Sequence, residues 1–370
     1  MPTKHPRHHS HHPNLKLGRL DYTLLVIIIV LLIIGVIMVY EASVVEAYQM
    51  FSDKLYFAKL QLKWSLVGLG ALAAGTFVPI KLVKKAAPAA FFISIVLLLI
   101  VLIPGVGTHA QGARRWINFG FVVIQPSELA KLTLILYLSA LFEKKTTAFT
   151  FLSTLGITAG LIMLEPDLGT TVVLSTLAIG LFFLARAPLA QFLTISLSAV
   201  AAATTLIASS TYRRQRLLTF LDPSRDPLGA SYHIRQVLIA LGSGGFFGNG
   251  IGRSLAKYQY LPEATTDSIF AVIVEETGFL GTMAIISLFM IITYRGLAIA
   301  ARMPDKFMSL LASGITILIA FQAFLNLGAM SALVPLTGVT LPFISYGGSS
   351  LVITLAASGL LLNLSRYQQS

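Results

Sequence analysis

The sequence predicts an all-α, polytopic membrane protein with about ten transmembrane helices and one long extracytoplasmic loop between the seventh and the eighth. Hydrophobic residues make up 56% of the 370-residue chain and charged residues only 11%, a balance that soluble domains of this length do not have. Apolar runs recur along nearly the whole chain. The stretches between them leave no room for an ordinary soluble domain, so we expect one integral membrane unit.

The individual elements follow from the length of each apolar run. A helix needs about 20 mostly apolar residues to cross a bilayer, and ten segments meet this requirement. They lie at 22–41, 64–80, 86–103, 124–141, 149–164, 169–185, 190–208, 270–294, 308–330 and 344–364. The predicted membrane domain covers 21–366, with the long loop at 209–268, a basic tail without ordered structure at 1–20 and a short tail at 367–370.

Basic residues between the spans indicate the orientation of the chain. Lys and Arg accumulate in the N-terminal tail and in every second connection, and cytoplasmic loops have such an excess. Both termini are therefore predicted to be cytoplasmic. The formal net charge of +12 reflects this distribution, so it does not indicate nucleic-acid binding.

The inventory of side chains excludes several kinds of site. The chain has no cysteine, so disulfides, thiolate metal sites and cysteine nucleophiles are not available. His109 and His233 lie far apart in sequence, and the carboxylates form no ligand set. Histidines 8, 9, 11 and 12 could bind a metal, but their Pro- and Ser-containing context favours an unordered tail. No cofactor is predicted, and dependence on a divalent cation is left open.

Three arginines, Arg213, Arg214 and Arg216, follow directly on the seventh span. Guanidinium groups bind phosphate oxygens through paired hydrogen bonds, so this cluster could hold the diphosphate of a lipid carrier at the membrane surface. Basic residues beside a membrane also anchor to anionic lipid headgroups, and the cluster alone favours this second interpretation. The glycine-rich stretch 242–252 matches no phosphate-binding fingerprint and predicts a tight turn.

Two carboxylates, Glu263 and Asp267, lie where the eighth span begins. An aspartate at this place can cap the helix by accepting hydrogen bonds from free amide groups, and Thr266 could do the same. Alternatively, the Asp267 carboxylate could take a proton from an attacking sugar hydroxyl. Capping is the commoner role of such a residue.

Ionisable residues inside the spans are informative, because a charge in hydrocarbon is costly unless it is paired or functional. Glu128 and Lys131 are three residues apart in the fourth span, so they share a helix face and are expected to pair. The alternative to a structural ion pair is that Glu128 and Lys131 line a polar cavity. Glu275 and Glu276 are a second case, in the eighth span. Asp167, between the fifth and sixth spans, is predicted to cap the following helix.

A set of ordered motifs gives the chain a family resemblance. They are 112–116 (Gly-Ala-Arg-Arg-Trp), 125–128 (Gln-Pro-Ser-Glu), 165–170 (Glu-Pro-Asp-Leu-Gly-Thr), 213–216 (Arg-Arg-Gln-Arg), 222–223 and 226–229 (Asp-Pro, Asp-Pro-Leu-Gly), 260–267, and 342–350 (Pro-Phe-Ile-Ser-Tyr-Gly-Gly-Ser-Ser). In this order, and with ten spans, they resemble the shape, elongation, division and sporulation (SEDS) family of membrane glycosyltransferases, the RodA and FtsW type. Stretches 260–264 and 335–342 are more similar to the division-type FtsW members.

The resemblance implies a peptidoglycan glycosyltransferase of cell division or elongation that polymerises lipid II at the outer face of the bacterial cytoplasmic (inner) membrane. The reaction inverts the anomeric carbon and releases undecaprenyl pyrophosphate. The functional aspartate of the family falls on Asp267, which we therefore expect to be the catalytic base. In the same motif, Thr265 and Ser268 replace the usual histidine and phenylalanine.

The matched motifs also imply roles for other residues. Arg213, Arg214 or Arg216 is expected to stabilise the charge that grows on the leaving pyrophosphate. Further substrate-binding residues are predicted at Glu263, Arg114, Arg115, Ser345 and Ser349. Structural or cavity-lining residues are predicted at Gln125, Ser127, Glu128, Lys131, Glu165, Asp167 and Glu275.

The resemblance implies several partners: lipid II, a separate single-span class B penicillin-binding protein (a transpeptidase), other division or elongation machinery, and membrane lipids. Two other functions stay open. The first is a lipid II flippase in which the charged residues inside the fourth and eighth spans line a polar path. The second is a non-catalytic scaffold that recruits the transpeptidase.

Overall fold

The computed structural model describes residues 18–110, 113–120, 122–144, 147–222, 231–255 and 261–367. Within these ranges the chain forms twelve helices and one three-stranded sheet. The predictions for residues 1–17 with their histidines, for the 226–229 motif, for Tyr260 and for residues 368–370 lie outside the described ranges.

The helices and strands follow one another in this order. They are α1 (Tyr22–Phe51), α2 (Tyr56–Phe77), α3 (Ile80–Val101), β1 (Gly107–Ala110), β2 (Ala113–Asn118), β3 (Val123–Ile124), α4 (Pro126–Lys144), α5 (Ala148–Leu164), α6 (Leu168–Leu184), α7 (Leu189–Ala208), α8 (Thr211–Leu221), α9 (Tyr232–Gly244), α10 (Ile269–Ala301), α11 (Lys306–Met330) and α12 (Gly348–Ser365). The strands form an antiparallel sheet of order β1-β2-β3.

Each of the ten predicted spans coincides with one helix, from α1 to α7 and from α10 to α12. Six of the described helices are long and apolar enough to cross a membrane, namely α1, α3, α7, α10, α11 and α12, and α5 and α6 are shorter apolar helices. The all-α, multi-pass class is therefore confirmed. The number of spans stays a prediction.

Aspartate side chains cap the N-termini of three of these helices. Asp21 accepts a hydrogen bond from Leu24 N at the start of α1, and Asp305 accepts one from Met308 N at the start of α11. Asp167 accepts one from Thr170 N at the start of α6, which confirms the cap that the sequence predicts there. Such caps satisfy amide groups that have no partner within the helix.

The predicted loop after the seventh span contains two short helices, α8 and α9. Helix α9 packs on α10 and buries Ile234, Val237 and Ala240, which lie on one side at helical spacing. The glycine-rich segment then turns against a kink in α10 at Gly278, where φ is 67°. A Cβ atom on Gly248 would lie 2.1 Å from Glu276 O, so only glycine permits this approach. The predicted tight turn is confirmed.

Close helix contacts bring the functional end of the molecule together. Helix α12 packs along α2, and a Cβ atom on Gly359 would lie 2.2 Å from Leu72 O. Helix α11 packs against α4, α6 and α10 and is largely buried. As a result, the segment before α10 (261–268) and the segment between α11 and α12 (331–347) meet at one end of the bundle. This is the end that the sequence predicts to be extracytoplasmic.

Candidate active site

Asp267 lies in the turns that precede α10 and does not cap that helix. The N-cap residue is Ser268, and no side chain there accepts a capping hydrogen bond. Thr266 Oγ1 instead donates to Glu263 Oε2 at 2.8 Å. The capping interpretation of Thr266 and Asp267 is therefore wrong, because the N-cap position falls on Ser268, one residue after Asp267. The half-buried Asp267 carboxylate stays available for other chemistry.

The surroundings of Asp267 change its protonation. Burial first, and the nearby Glu263 carboxylate second, raise the pKa of Asp267 to about 6, while a backbone hydrogen bond, then the Arg216 guanidinium and the Thr266 hydroxyl, act in the opposite direction. Desolvation and a like charge both disfavour an ionised carboxylate. A carboxylate with this pKa is ionised at neutral pH and is a stronger base than an ordinary aspartate.

The three arginines of α8 do not form one cluster. Arg213 Nη1 donates to Leu206 O at 3.1 Å, back toward the end of α7. Arg216 lies over the Tyr212 ring at 4.8 Å and donates from Nη1 to Leu336 O at 3.3 Å. Arg214 is exposed. Of the three, Arg216 is the one whose charge affects the pKa of Asp267, so it is the candidate for a ligand phosphate beside this carboxylate.

His233 is part of this site, although its sequence context gave no such signal. Its Nε2 lies 2.7 Å from Ser268 Oγ, next to Asp267 in sequence. Burial first, and the Arg216 charge second, lower the pKa of His233 to about 4, so the ring is neutral at neutral pH. The replacement of phenylalanine by Ser268 provides the hydroxyl that this ring contacts, and that departure was the available hint.

The predicted ion pair of the fourth span exists and reaches toward the site. Lys131 Nζ lies 2.8 Å from Glu128 Oε1, and both side chains are buried. Lys131 also donates to Gln322 Oε1 at 3.1 Å, and Gln322 Nε2 donates to Thr340 O at 3.2 Å. The pair is thus neutralised internally and supports the segment between α11 and α12.

Two serine side chains around the start of α12 form hydrogen bonds with backbone groups. Ser349 Oγ accepts from Gln125 N at 3.2 Å and donates to Val123 O at 3.1 Å. Ser345 Oγ donates to Thr266 O at 2.6 Å. These contacts hold the chain in place, and they leave the substrate-binding role of the two serines a prediction. Ser127 is buried, and its Oγ has no hydrogen-bond partner within the described ranges.

The turn between α5 and α6 forms a separate acidic region with the β-sheet. Arg115 donates from Nε to Glu165 O at 3.0 Å and from Nη2 to Pro166 O at 2.7 Å. Arg114 lies opposite His109 in the β1–β2 register. Burial first, and Asp167 second, raise the pKa of Glu165 to about 8, so this carboxyl group is mostly protonated at neutral pH. The structure therefore gives Arg115 a supporting role in this turn.

Glu275 is held by the segment that follows the glycine-rich turn. Its carboxylate accepts from Ser254 Oγ and, at 2.9 Å, from Leu255 N. Asn249 N donates to Glu275 O and Gly250 N to Glu276 O, each at 3.0 Å. Because these amide groups already have partners, they do not form a phosphate cradle. Within the described ranges, no group of three or more His, Cys, Asp and Glu side chains could hold a metal ion.

Comparisons with known proteins agree along nearly the full chain. The family model FtsW/RodA/SpoVE, described as "Cell cycle protein", matches residues 22–370. The chain is 42% identical to "Stage V sporulation protein E" of Bacillus subtilis, over 94% of this chain and 98% of that protein. It is 40% identical to "Probable peptidoglycan glycosyltransferase FtsW" of Trichlorobacter lovleyi, over 95% of this chain and 94% of that protein.

Two solved structures share the fold. One is a chain from "Structural coordination of polymerization and crosslinking by a peptidoglycan synthase complex", with a TM-score of 0.77 and 28% identity, covering 94% of this chain and 98% of that one. The other is the rod shape determining protein RodA of Thermus thermophilus, with a TM-score of 0.70 and 28% identity, covering 95% of this chain and 98% of that one.

Proposed function

The chain belongs to the FtsW, RodA and SpoVE family of cell cycle proteins, and we propose that it is a peptidoglycan glycosyltransferase that polymerises lipid II. The observation that carries this proposal is a half-buried carboxylate of raised pKa, Asp267, at one end of the helix bundle and within electrostatic reach of the exposed Arg216. The relatives named FtsW support the activity. The relatives named FtsW, at 38–40% identity, support the FtsW-like subgroup that stretches 260–264 and 335–342 indicate.

In the proposed reaction, Asp267 takes the proton from the 4-hydroxyl of an acceptor N-acetylglucosamine. The hydroxyl oxygen attacks the anomeric carbon of a donor N-acetylmuramic acid, forming the new glycosidic bond. The bond between that carbon and the carrier's phosphate oxygen breaks, and undecaprenyl pyrophosphate leaves with the electron pair. Attack from the face opposite the leaving group inverts the anomeric carbon.

The electrostatics of the site suit this division of roles. The raised pKa of Asp267 makes it a better proton acceptor at neutral pH than an ordinary aspartate. The Arg216 guanidinium can donate paired hydrogen bonds to phosphate oxygens, and its charge stabilises the anion that develops as the pyrophosphate leaves. Arg213 is turned toward α7, so we assign the pyrophosphate contact to Arg216.

The location and the partners follow from the same proposal. In this proposal the site lies at the outer face of the bacterial cytoplasmic membrane and both termini are cytoplasmic, an orientation supported by the basic connections between the spans. A similar chain was solved in a complex named for polymerization and crosslinking. This similarity supports a penicillin-binding transpeptidase as the partner of our chain, alongside other division or elongation machinery.

The flippase alternative is disfavoured by the charges inside the bundle. Glu128 and Lys131 neutralise each other, and Gln322 takes a further hydrogen bond of the lysine. Glu275 accepts hydrogen bonds from Ser254 and Leu255. Polar groups that satisfy one another stabilise the bundle, whereas a transport path needs groups that face a water-filled cavity.

The experiment uses the full chain with a class B penicillin-binding protein and fluorescent lipid II, both in detergent and in sealed vesicles. The proposal predicts glycan strands in both settings. Movement of lipid II across the vesicle membrane without any polymer would identify a transporter. Absence of both polymer and movement, with the complex still formed, would identify a scaffold.

A further inference from the structure

The backbone around Asp267 is fixed by groups from the α11–α12 region. Three successive carbonyl groups of this turn each accept one hydrogen bond, which fixes the planes of the peptide groups and hence the direction of the Asp267 side chain. The bonds are Tyr346 N to Thr265 O at 2.9 Å, Ser345 Oγ to Thr266 O at 2.6 Å and Asn326 Nδ2 to Asp267 O at 2.7 Å.

Asn326 differs from the other two donors because its amide binds a second segment. The same Nδ2 donates to Val339 O at 2.7 Å. The neighbouring Gly338 has a φ of 70°, and a Cβ atom there would lie 3.9 Å from Asp267 Oδ2. One buried amide therefore joins the backbone of Asp267 to the segment that faces its carboxylate.

The 336–340 segment, which Asn326 binds, is also bound by Arg216, the candidate ligand for a substrate phosphate. Arg216 donates to Leu336 O at 3.3 Å, three residues before Val339. One helical turn earlier on α11, Gln322 donates to Thr340 O at 3.2 Å. Two side-chain amides of α11 thus bind the end of the 336–340 segment, while Arg216 of α8 binds its beginning.

We propose that Asn326 is a positioning residue, which sets the Asp267 carboxylate at a fixed place relative to Arg216 so that proton transfer and departure of the pyrophosphate occur together. This inference rests on the proposed function. It assigns to Asn326 no contact with the substrate.

The chemistry of the amide explains why asparagine is required. A carboxamide offers two N–H donors on one nitrogen, one for each of the two carbonyl groups. A protonated aspartic acid donates at most one hydrogen bond, and an alanine donates none. In either variant a buried carbonyl group loses its partner, so the two segments are expected to separate or shift.

The chain offers a matched control, Asn363, near the C-terminal end of α12. Asn363 is buried and its Nδ2 also bridges two backbone carbonyl groups, Gly75 O at 3.0 Å and Val78 O at 2.5 Å. These groups lie at the ends of α2 and α12 that are remote from Asp267. If breaking any buried amide bridge were enough to lower kcat, the loss of kcat should therefore be the same at Asn326 and Asn363.

The experiment compares Asn326→Asp and Asn363→Asp in the full chain with its transpeptidase partner, measuring kcat, KM for lipid II and the pH dependence of polymerisation. For Asn326→Asp we expect kcat to fall by at least about tenfold with KM little changed. In Asn326→Ala, which adds no second carboxyl group beside Asp267, the acidic limb of the pH profile should move to lower pH, because a released Asp267 becomes better hydrated. Asn363→Asp should keep the wild-type kcat per folded molecule and the wild-type limb.

Two results would overturn the inference: wild-type kcat in Asn326→Asp together with the wild-type pH limb in Asn326→Ala, or equal losses of kcat in Asn326→Asp and Asn363→Asp. If Asn326→Asp does not fold, Asn326→Ala and Asn326→Ser are measured by the same criteria. If the inference about Asn326 fails but the proposed function holds, the wild-type chain makes polymer and the Asp267→Ala variant does not. If the proposed function itself fails, the wild-type chain makes no polymer.

Discussion

Two turns of the molecule place a glutamate and then an aspartate before a membrane helix, yet the two aspartates have different surroundings. Before α6, Asp167 accepts from Thr170 N at 2.9 Å and from Thr170 Oγ1 at 2.8 Å. Before α10, Asp267 makes no cap, and its pKa is raised to about 6. The first carboxylate caps a helix, whereas the second is half-buried and has no capping role.

The glutamates of the two turns also differ in their exposure to solvent. Glu165 is fully buried, and the pKa of its carboxyl group is raised to about 8. Glu263 is exposed and has a positive φ of 52°. In the first turn both acids are buried and the Asp167 carboxylate is satisfied by Thr170, while in the second turn the glutamate is exposed and Asp267 is half-buried. Burial and neighbouring charge, more than the local sequence of acids, therefore distinguish the two turns.

The largest expected effect distinguishes the two aspartates directly. Asp267→Ala should lower polymerisation by roughly 10²-fold or more, since it removes the general base. Asp167→Ala should destabilise the protein by about 1 kcal/mol through loss of the cap and keep most of its activity per folded molecule. The measurement is polymer formed from lipid II by each purified complex, normalised to folded protein. Equal activities of the two variants would refute the distinction.

A smaller effect is expected at the arginines of α8. Arg216→Ala should slow polymerisation roughly tenfold, because charge on the leaving pyrophosphate loses a stabilising group. It should also move the acidic limb to higher pH, since the Arg216 charge lowers the pKa of Asp267. Arg214→Ala is the matched control, exposed on the same helix but about 200° around it. If Arg214→Ala were the slower enzyme, Arg216 would lose its assigned role.

The smallest effect concerns Glu165 and is seen in stability, not in catalysis. The pKa of this carboxyl group is about 8 in the folded chain against an ordinary value of 4.5, so between these values the folded state binds more protons than the unfolded state. Stability from this group therefore falls as pH rises through that window. Glu165→Gln should remove this slope and melt later than wild type at alkaline pH. Parallel melting curves for the two proteins across the window would contradict the assignment.

Features that depend on neighbours in sequence were predictable. Hydropathy located all ten helices that match predicted spans, because a bilayer requires a continuous apolar run. The Glu128–Lys131 pair and the Asp167 cap were also correct, since both follow from spacings of three residues within or beside one helix.

Features that depend on tertiary contacts were not predictable in this way. Helix α8 separates Arg213 from Arg216, and only the folded chain shows which of them meets the 336–340 segment. His233 contacts Ser268 across 35 positions of sequence. Asn326 reaches Asp267 across 59 positions. No local pattern marks such residues, because their partners come from other helices.

The most direct test of the central claim, that the Asp267 carboxylate is the base, is the pH dependence of kcat/KM for polymerisation by the wild-type complex. Activity should rise as a single proton is lost, reach half of its maximum near the pKa of about 6, and stay level above about pH 7. Activity that is constant from about pH 5 to about pH 8 would contradict the assignment.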